Sequence, residues 1–250
     1  MKTLANKVAL ITGSARGLGK AIAERYAALG ASIVINYSKD KSSADEVVKN
    51  ITAMGAKVIA VQADVTQVKD IERLFAEAKK AFGKIDIVVA NAGIELIQLP
   101  VEEFTEAQFD RVFNINVKGS YFTMQQAAKH IEDKGRIIYI SSSTTTAPVP
   151  GMAVYGGSKT TPKYLVEILA KEIGHRGVTV NTIIPGPVAA TGVFSEMSTD
   201  DPFYLELLKG SPMGRLTTVD DVADVAEFFA SDLAGFISGQ HLLVNGGSQY

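Results

Sequence analysis

The sequence predicts a doubly wound α/β fold: a mostly parallel, seven-stranded sheet with helices on both faces. Three observations point to it. Short β-rich runs alternate with longer segments of helical period along the whole chain, several of the runs are almost continuously apolar (Ile85-Asp86-Ile87-Val88-Val89), and no linker, repeat or low-complexity tract interrupts the pattern. Such alternation calls for parallel strands joined by right-handed helical crossovers, which bury both faces of each strand.

In chain order, strands are expected over 8–12, 32–36, 58–61, 85–90, 136–141, 178–184 and 241–244, and helices over 18–29, 43–54, 68–82, 106–130, 154–173 and 219–230. One extended stretch, 185–215, reads as irregular and is rich in Gly, Pro, Ser and Thr, which suits a substrate lid at about 186–215. Its apolar residues Phe194, Met197, Phe203, Tyr204, Leu205, Leu207 and Leu208 fit a lid or a short amphipathic helix at a subunit contact. Ile94, Leu96, Val149 and Met152 are further candidates for the same pocket.

The whole chain, 1–250, reads as one dinucleotide-binding and catalytic domain. Apolar residues make up 46% and charged residues 21%, enough for a full core and against disorder. With 25 basic and 27 acidic residues, net charge −2, and no basic block, neither nucleic acid nor an anionic membrane is an expected partner. The absence of cysteine excludes disulfides, thiolate metal sites and cysteine nucleophiles. The apolar run at 8–11 is too short for a signal segment or a membrane span, so a soluble, cytoplasmic protein is expected. His130, His175 and His241 fall on different elements without ligand spacing, so no metal site is expected.

Chemistry gathers at two places. The first strand runs into Thr12-Gly13-Ser14-Ala15-Arg16-Gly17-Leu18-Gly19, where glycines let a pyrophosphate approach the N–H groups of a helix N-terminus. The second strand ends Asn36-Tyr37-Ser38-Lys39, with no carboxylate for the adenosine ribose. Arg16 and Lys39 suit a 2′-phosphate, with Asn36 and Ser38 as donors, which predicts NADP over NAD.

The second place is Tyr155-Gly156-Gly157-Ser158-Lys159, where a phenol and an ammonium four residues apart share one helix face. A neighbouring cation favours phenolate and would bring the tyrosine toward acid/base use. The run Ser141-Ser142-Ser143 closes a strand whose end faces the ligand crevice, so one of its hydroxyls is placed to bind a developing alkoxide. Pro162, three residues past Lys159, removes a helix N–H and predicts a local kink.

Taken with Asp64-Val65, Asn91-Ala92-Gly93, Asn116, Pro185-Gly186, Ser238-Gly239-Gln240 and Asn245-Gly246-Gly247, these motifs resemble the short-chain dehydrogenase/reductase family over essentially the whole length. The likeness is greatest to its 3-oxoacyl-carrier-protein reductase and polyketide ketoreductase branches. The resemblance implies a Rossmann fold, NADP(H), and reversible reduction of a ketone to a secondary alcohol. Tyr155 would be the proton donor, Ser142 would hold the substrate oxygen, Lys159 would bind the nicotinamide ribose, and Asn116 would hold a water linking Lys159 to solvent. Gly13, Ser14, Gly17, Leu18, Gly19, Tyr37, Asp64, Val65, Asn91, Ala92, Gly93, Pro185 and Gly186 would line the cofactor. Relatives often place threonine where this chain has Ala190, so the nicotinamide amide contact falls to Thr191 or the Val188 backbone. The resemblance also implies a homotetramer built on the helices over 106–130 and 154–173 and on the C-terminal segment.

An NAD-dependent alcohol dehydrogenase with the same residues, and a cofactor sensor without turnover, are the competing readings. The missing carboxylate at Asn36 opposes the first, and the intact acid/base pair opposes the second.

Overall fold

A computed structural model describes residues 3–248 apart from residue 196. In chain order the elements are β1 (Val8–Ile11), α1 (Gly17–Ala28), β2 (Ser32–Tyr37), α2 (Lys41–Ala53), β3 (Val58–Gln62), α3 (Val68–Phe82) and β4 (Ile87–Ala90). They continue with α4 (Glu106–Phe113), α5 (Ser120–His130), β5 (Arg136–Ile140), α6 (Ala153–Glu172), β6 (Thr179–Pro185), α7 (Pro202–Lys209), α8 (Val219–Ala230) and β7 (His241–Val244). All strand pairs are parallel, in the order β3-β2-β1-β4-β5-β6-β7. The chain winds outward from β1 to β3, then crosses back to β4 on the other side of β1. The crevice outside the ends of β1 and β4 is therefore the topological switch point, where open α/β sheets bind ligands.

Strand alternation divides the core in two. Ala9, Ile11, Ile33, Ile35, Ile87 and Val89 face α1, α2 and α8 through Ile22, Tyr26, Val47, Val222 and Phe229. Val8, Leu10, Val34 and Val88 face α3, α5 and α6 through Ile71, Phe75, Met124 and Val166. A one-residue slip of β1 would exchange these sets, so the double burial itself fixes the register. Tyr26 Oη donates to Ala226 O at 2.7 Å and ties α1 to α8 without leaving a buried hydroxyl unpaired.

One local feature departs from expectation. The helix expected over 106–130 is broken by a π-helical turn, Asn114–Gly119. Two packing demands coincide there. The Asn116 side chain is drawn onto the Ile94 backbone, and the chain passes so close to Val65 that a Cβ on Gly119 would lie 2.9 Å from its Cγ2. The stretch taken as irregular contains α7, with Asp201 accepting a hydrogen bond from Phe203 N as its cap and Pro202 at its first turn. α6 is one continuous helix that includes Pro162. The missing N–H leaves the Ser158 carbonyl without its helical donor, while the neighbouring Lys159 carbonyl accepts from Tyr139 Oη at 3.3 Å and Ser141 Oγ at 3.4 Å. Among the described residues no helix is long and apolar enough to cross a membrane.

Candidate active site

The glycine turn after β1 is held from β4. Thr12 Oγ1 accepts from the N–H groups of Asn91 and Ala92, both at 3.0 Å, and Asn91 Nδ2 donates to Thr12 O at 2.8 Å and Gly13 O at 3.1 Å. Gly13 has φ +62°, and a Cβ there would lie 2.9 Å from the Ala92 Cα. At Gly19 a Cβ would come within 2.6 Å of Asn91 Nδ2, so glycine at both positions is set by this clamp. α1 then begins with no side-chain cap and no acid in its first turn, leaving its leading N–H groups directed at the crevice.

The second strand departs from the expected roles. Asn36 was expected to offer a donor to a phosphate, but its side chain is 2% exposed and engaged inside the protein. Its Oδ1 accepts from Gly13 N at 3.0 Å, and its Nδ2 donates to Ala63 O at 3.0 Å, joining the glycine turn to β2 and the end of β3. Ser14, also expected at the cofactor, is fully buried. Its N–H donates to Asn36 O and its hydroxyl to Ile11 O at 2.7 Å, so it shapes the turn from below. A polar side chain in the second layer has the same sequence signature as one facing the ligand, which explains both corrections.

Arg16, Ser38 and Lys39 are exposed at the rim, beside half-buried Tyr37. Asp40, a carboxylate just beyond them, accepts from Ser43 N at 3.0 Å and Ser43 Oγ at 2.6 Å as the cap of α2. These bonds, with Arg16 nearby, hold its carboxyl below the usual range. Asp64 follows β3 and accepts from Thr66 N at 2.9 Å, and Val65 is buried against Gly119.

At the other end of the crevice, Tyr155 and Lys159 lie one turn apart at the start of α6 and are 7% and 5% exposed. Lys159 Nζ donates to Ile140 O at 3.1 Å and stands 6.0 Å from the Tyr155 ring centroid. Gly93 makes room for it, since a Cβ there would be 3.0 Å from Nζ. Ser142, just past β5, accepts from Thr144 N at 3.3 Å and Thr144 Oγ1 at 3.0 Å and hydrogen-bonds the phenol. Asn116 accepts from Ile94 N at 2.8 Å and donates to Ile94 O at 2.9 Å and Ser158 Oγ at 3.0 Å. Its side chain is thus fully occupied in bracing the β4 loop against α6.

Burial drives the Tyr155 phenol above its ordinary value and the Glu95 carboxylate adds to this, with the Ser142 hydrogen bond opposing both. Lys159 Nζ donates to the Ile140 carbonyl, and its own pKa is lowered to about 8 by burial, against Glu95. In this geometry Tyr155 is a protonated acid at neutral pH.

The segment after β6 borders the site. Gly186 N donates to Val244 O at 2.9 Å, Val188 bridges Thr217, and Ala190 adopts φ +57°, which turns the chain back across the crevice. Thr191 Oγ1 donates to Val188 O at 3.1 Å, and its Cβ would lie 3.9 Å from a Cβ on Gly17. The segment after β6 thus comes back beside the glycine turn. Two residues that sequence reasoning passed over face this site, Glu95 and Thr144; a lone acid and a threonine in loops carry no motif that would mark them.

A family model described as enoyl-(acyl carrier protein) reductase matches residues 13–249. A hydroxynaphthalene reductase-like protein, Arp2, of Metarhizium brunneum is 39% identical over 99% of this chain and 96% of its own. Among solved structures, a short-chain dehydrogenase from Burkholderia cenocepacia in complex with NADP superposes with TM-score 0.92 at 33% identity, over 99% of this chain and 100% of its own. A blue fluorescent protein from a metagenomic library, in complex with NADPH, gives the same TM-score, identity and coverage. With a switch-point crevice, a clamped glycine turn and a buried tyrosine and lysine on one helix face, the chain belongs to the short-chain dehydrogenase/reductase family.

Proposed function

We propose that the protein is an NADPH-dependent reductase that converts a ketone to a secondary alcohol, reversibly, with Tyr155 as proton donor. The observation that carries this is the convergence of Ser142, Tyr155 and Lys159, from β5 and α6, at the crevice above the glycine turn. The crevice suits a dinucleotide, since the uncapped start of α1, with no acid in its first turn, favours an anion. Gly17, Leu18 and Gly19 would hold the pyrophosphate, Arg16, Ser38 and Lys39 a 2′-phosphate, Asp64 and Val65 the adenine, and Lys159 with Val188 or Thr191 the nicotinamide end. Relatives of known structure carry NADP or NADPH, in support of the phosphorylated cofactor.

When bound, the cofactor supplies a hydride to the carbonyl carbon. Ser142 donates a hydrogen bond to the carbonyl oxygen, with its own lone pairs turned toward Thr144. Tyr155 gives its proton to that oxygen as the C–H bond forms, and the resulting phenolate is stabilised by the Lys159 ammonium and recovers a proton from solvent. The raised pKa of Tyr155 keeps the proton in place until the oxygen becomes basic. We place the enzyme in the cytoplasm as one catalytic domain with its lid at 186–215. We assign it a homotetramer, supported by exposed Tyr121 on α5 and Leu242 and Leu243 on β7.

The test is nicotinamide absorbance at neutral pH with a ketone panel, NADPH and NADH in parallel, for the wild type and Tyr155→Phe. NADPH oxidation that the substitution abolishes is expected. Faster turnover with NADH would overturn the cofactor assignment, and tight binding without turnover would favour a sensor.

A further inference from the structure

Six consecutive hydroxyl residues, Ser141 to Thr146, follow β5, and the three threonines among them fold back on the chain in two ways. Thr145 Oγ1 donates to the Ser142 carbonyl at 2.8 Å and Thr146 Oγ1 to the Ser143 carbonyl at 2.7 Å, which tightens the short 3-10 turn Ser143–Thr145. Thr144 reaches a side chain instead: its hydroxyl lies 3.0 Å from Ser142 Oγ, and its backbone N–H donates to the same oxygen at 3.3 Å. It is also seated against the start of α6. A Cβ on Gly156, the residue after Tyr155, would lie 3.4 Å from the Thr144 carbonyl oxygen and 3.6 Å from Thr144 Oγ1. Ser142 is buried, so its hydroxyl takes its direction from these neighbours more than from water.

A serine hydroxyl has one proton and two lone pairs. The Thr144 N–H can only donate, so it occupies the first lone pair. When Thr144 Oγ1 donates as well, both are occupied, and the Ser142 proton points away from Thr144 to the Tyr155 phenol, whose raised pKa it opposes. We propose that Thr144 is a positioning residue: its hydroxyl orients the Ser142 proton toward the place of the substrate oxygen, so that Ser142 is set as a donor before the ketone arrives; this rests on the reductase reading above. A dipole fixed in advance need not turn as charge develops on that oxygen, and a hydroxyl that accepts a hydrogen bond becomes a stronger donor itself. Without the Thr144 hydroxyl, Ser142 is free to rotate and to present a lone pair to the carbonyl oxygen, which repels it.

The experiment measures kcat, KM for NADPH and the thermal midpoint for the wild type, Thr144→Val, Thr144→Ser and Thr145→Val, with the ketone that the wild type reduces best. Thr144→Val keeps the shape and the backbone N–H and removes the hydroxyl; its kcat should fall about three- to tenfold, the usual effect of one hydrogen bond, with KM for NADPH unchanged. Thr144→Ser restores the hydroxyl and should stay within about twofold of the wild type, as should Thr145→Val, whose lost bond ends on a backbone carbonyl of the same turn. In alcohol oxidation, the rise of rate with pH should begin at higher pH in Thr144→Val, because Ser142 no longer steadies the phenolate, and Thr145→Val should not move it. If valine lowers the thermal midpoint, Thr144→Ala should show the same fall in kcat. A wild-type kcat in Thr144→Val, a loss in Thr144→Ser as large as with valine, or an equal loss in Thr145→Val overturns the Thr144 assignment and leaves the reductase reading standing. If the wild type reduces no ketone with NADPH or NADH, both fall.

Discussion

At the glycine turn, each buried polar side chain ends on the protein itself: Thr12 and Asn91 on each other's backbone, Ser14 on Ile11, Asn36 on Gly13 and Ala63. At the head of α6 the polar side chains are equally buried, yet Tyr155 and Lys159 are both titratable and both displaced from their ordinary ionisation. The first arrangement satisfies hydrogen bonds to hold a shape. The second tolerates unfavourable solvation to hold reactive protons. Substitutions should therefore act on stability and cofactor binding at one end, and on turnover at the other.

The largest effect belongs to the catalytic end. Tyr155→Phe should lower kcat by about 10²–10⁴-fold, the usual contribution of a positioned acid, while NADPH binding followed by fluorescence is retained. Loss of binding together with turnover would mean that the phenol is part of the scaffold, and the contrast between the two ends would collapse.

Lys159 sharpens the contrast through pH. Its folded pKa of about 8 lies below the ordinary 10.5, so the folded state binds fewer protons than the unfolded chain between these values. Stability should rise with pH across that window, by at most about 3 kcal/mol, and the penalty is fully present below pH 8. Urea midpoints for the wild type and Lys159→Met from pH 7 to 10.5 should converge as pH rises, although the variant lacks turnover throughout. Parallel curves would show that the ammonium is solvated in the fold.

How much of this was readable beforehand follows the same division. Periodicity placed the strands and most helices within a few residues, because both faces of the sheet are buried and the apolar pattern leaves few alternatives. It left α7 as one of two readings of a segment whose Gly, Pro, Ser and Thr surroundings resemble a loop, and it missed the π turn, which arises from Asn116 and Gly119 meeting distant residues. Tyr155 and Lys159 were singled out because four-residue spacing survives translation into a helix. Asn36 and Ser14 were assigned to the ligand because sequence carries no sign of which way a polar side chain turns. Glu95 was passed over because its neighbours in space come from α6 and the lid.

Asn36 tests the scaffold directly. Asn36→Leu would leave the Gly13 N–H and the Ala63 carbonyl without this partner, a cost of about 1–3 kcal/mol read as a lower thermal midpoint. NADPH affinity should fall as the turn loosens, and kcat at saturating NADPH should change far less than KM for NADPH. An equal fall in kcat at saturation would tie the turn to the chemistry and dissolve the division.

The smallest effect is expected at the rim, where Arg16 and Lys39 are exposed to solvent. Charges there meet a ligand in high dielectric, so each contributes modestly and is screened by salt. Arg16→Ala should raise KM for NADPH by about tenfold, in line with a lost charge-assisted hydrogen bond, and leave KM for NADH within about twofold. Lys39→Ala should do the same more weakly, because Lys39 lies outside the turn that Asn91 and Asn36 immobilise, whereas Arg16 sits within it. Equal losses for both cofactors would instead make Arg16 part of the α1 start, one more residue whose work is to hold the shape of the turn.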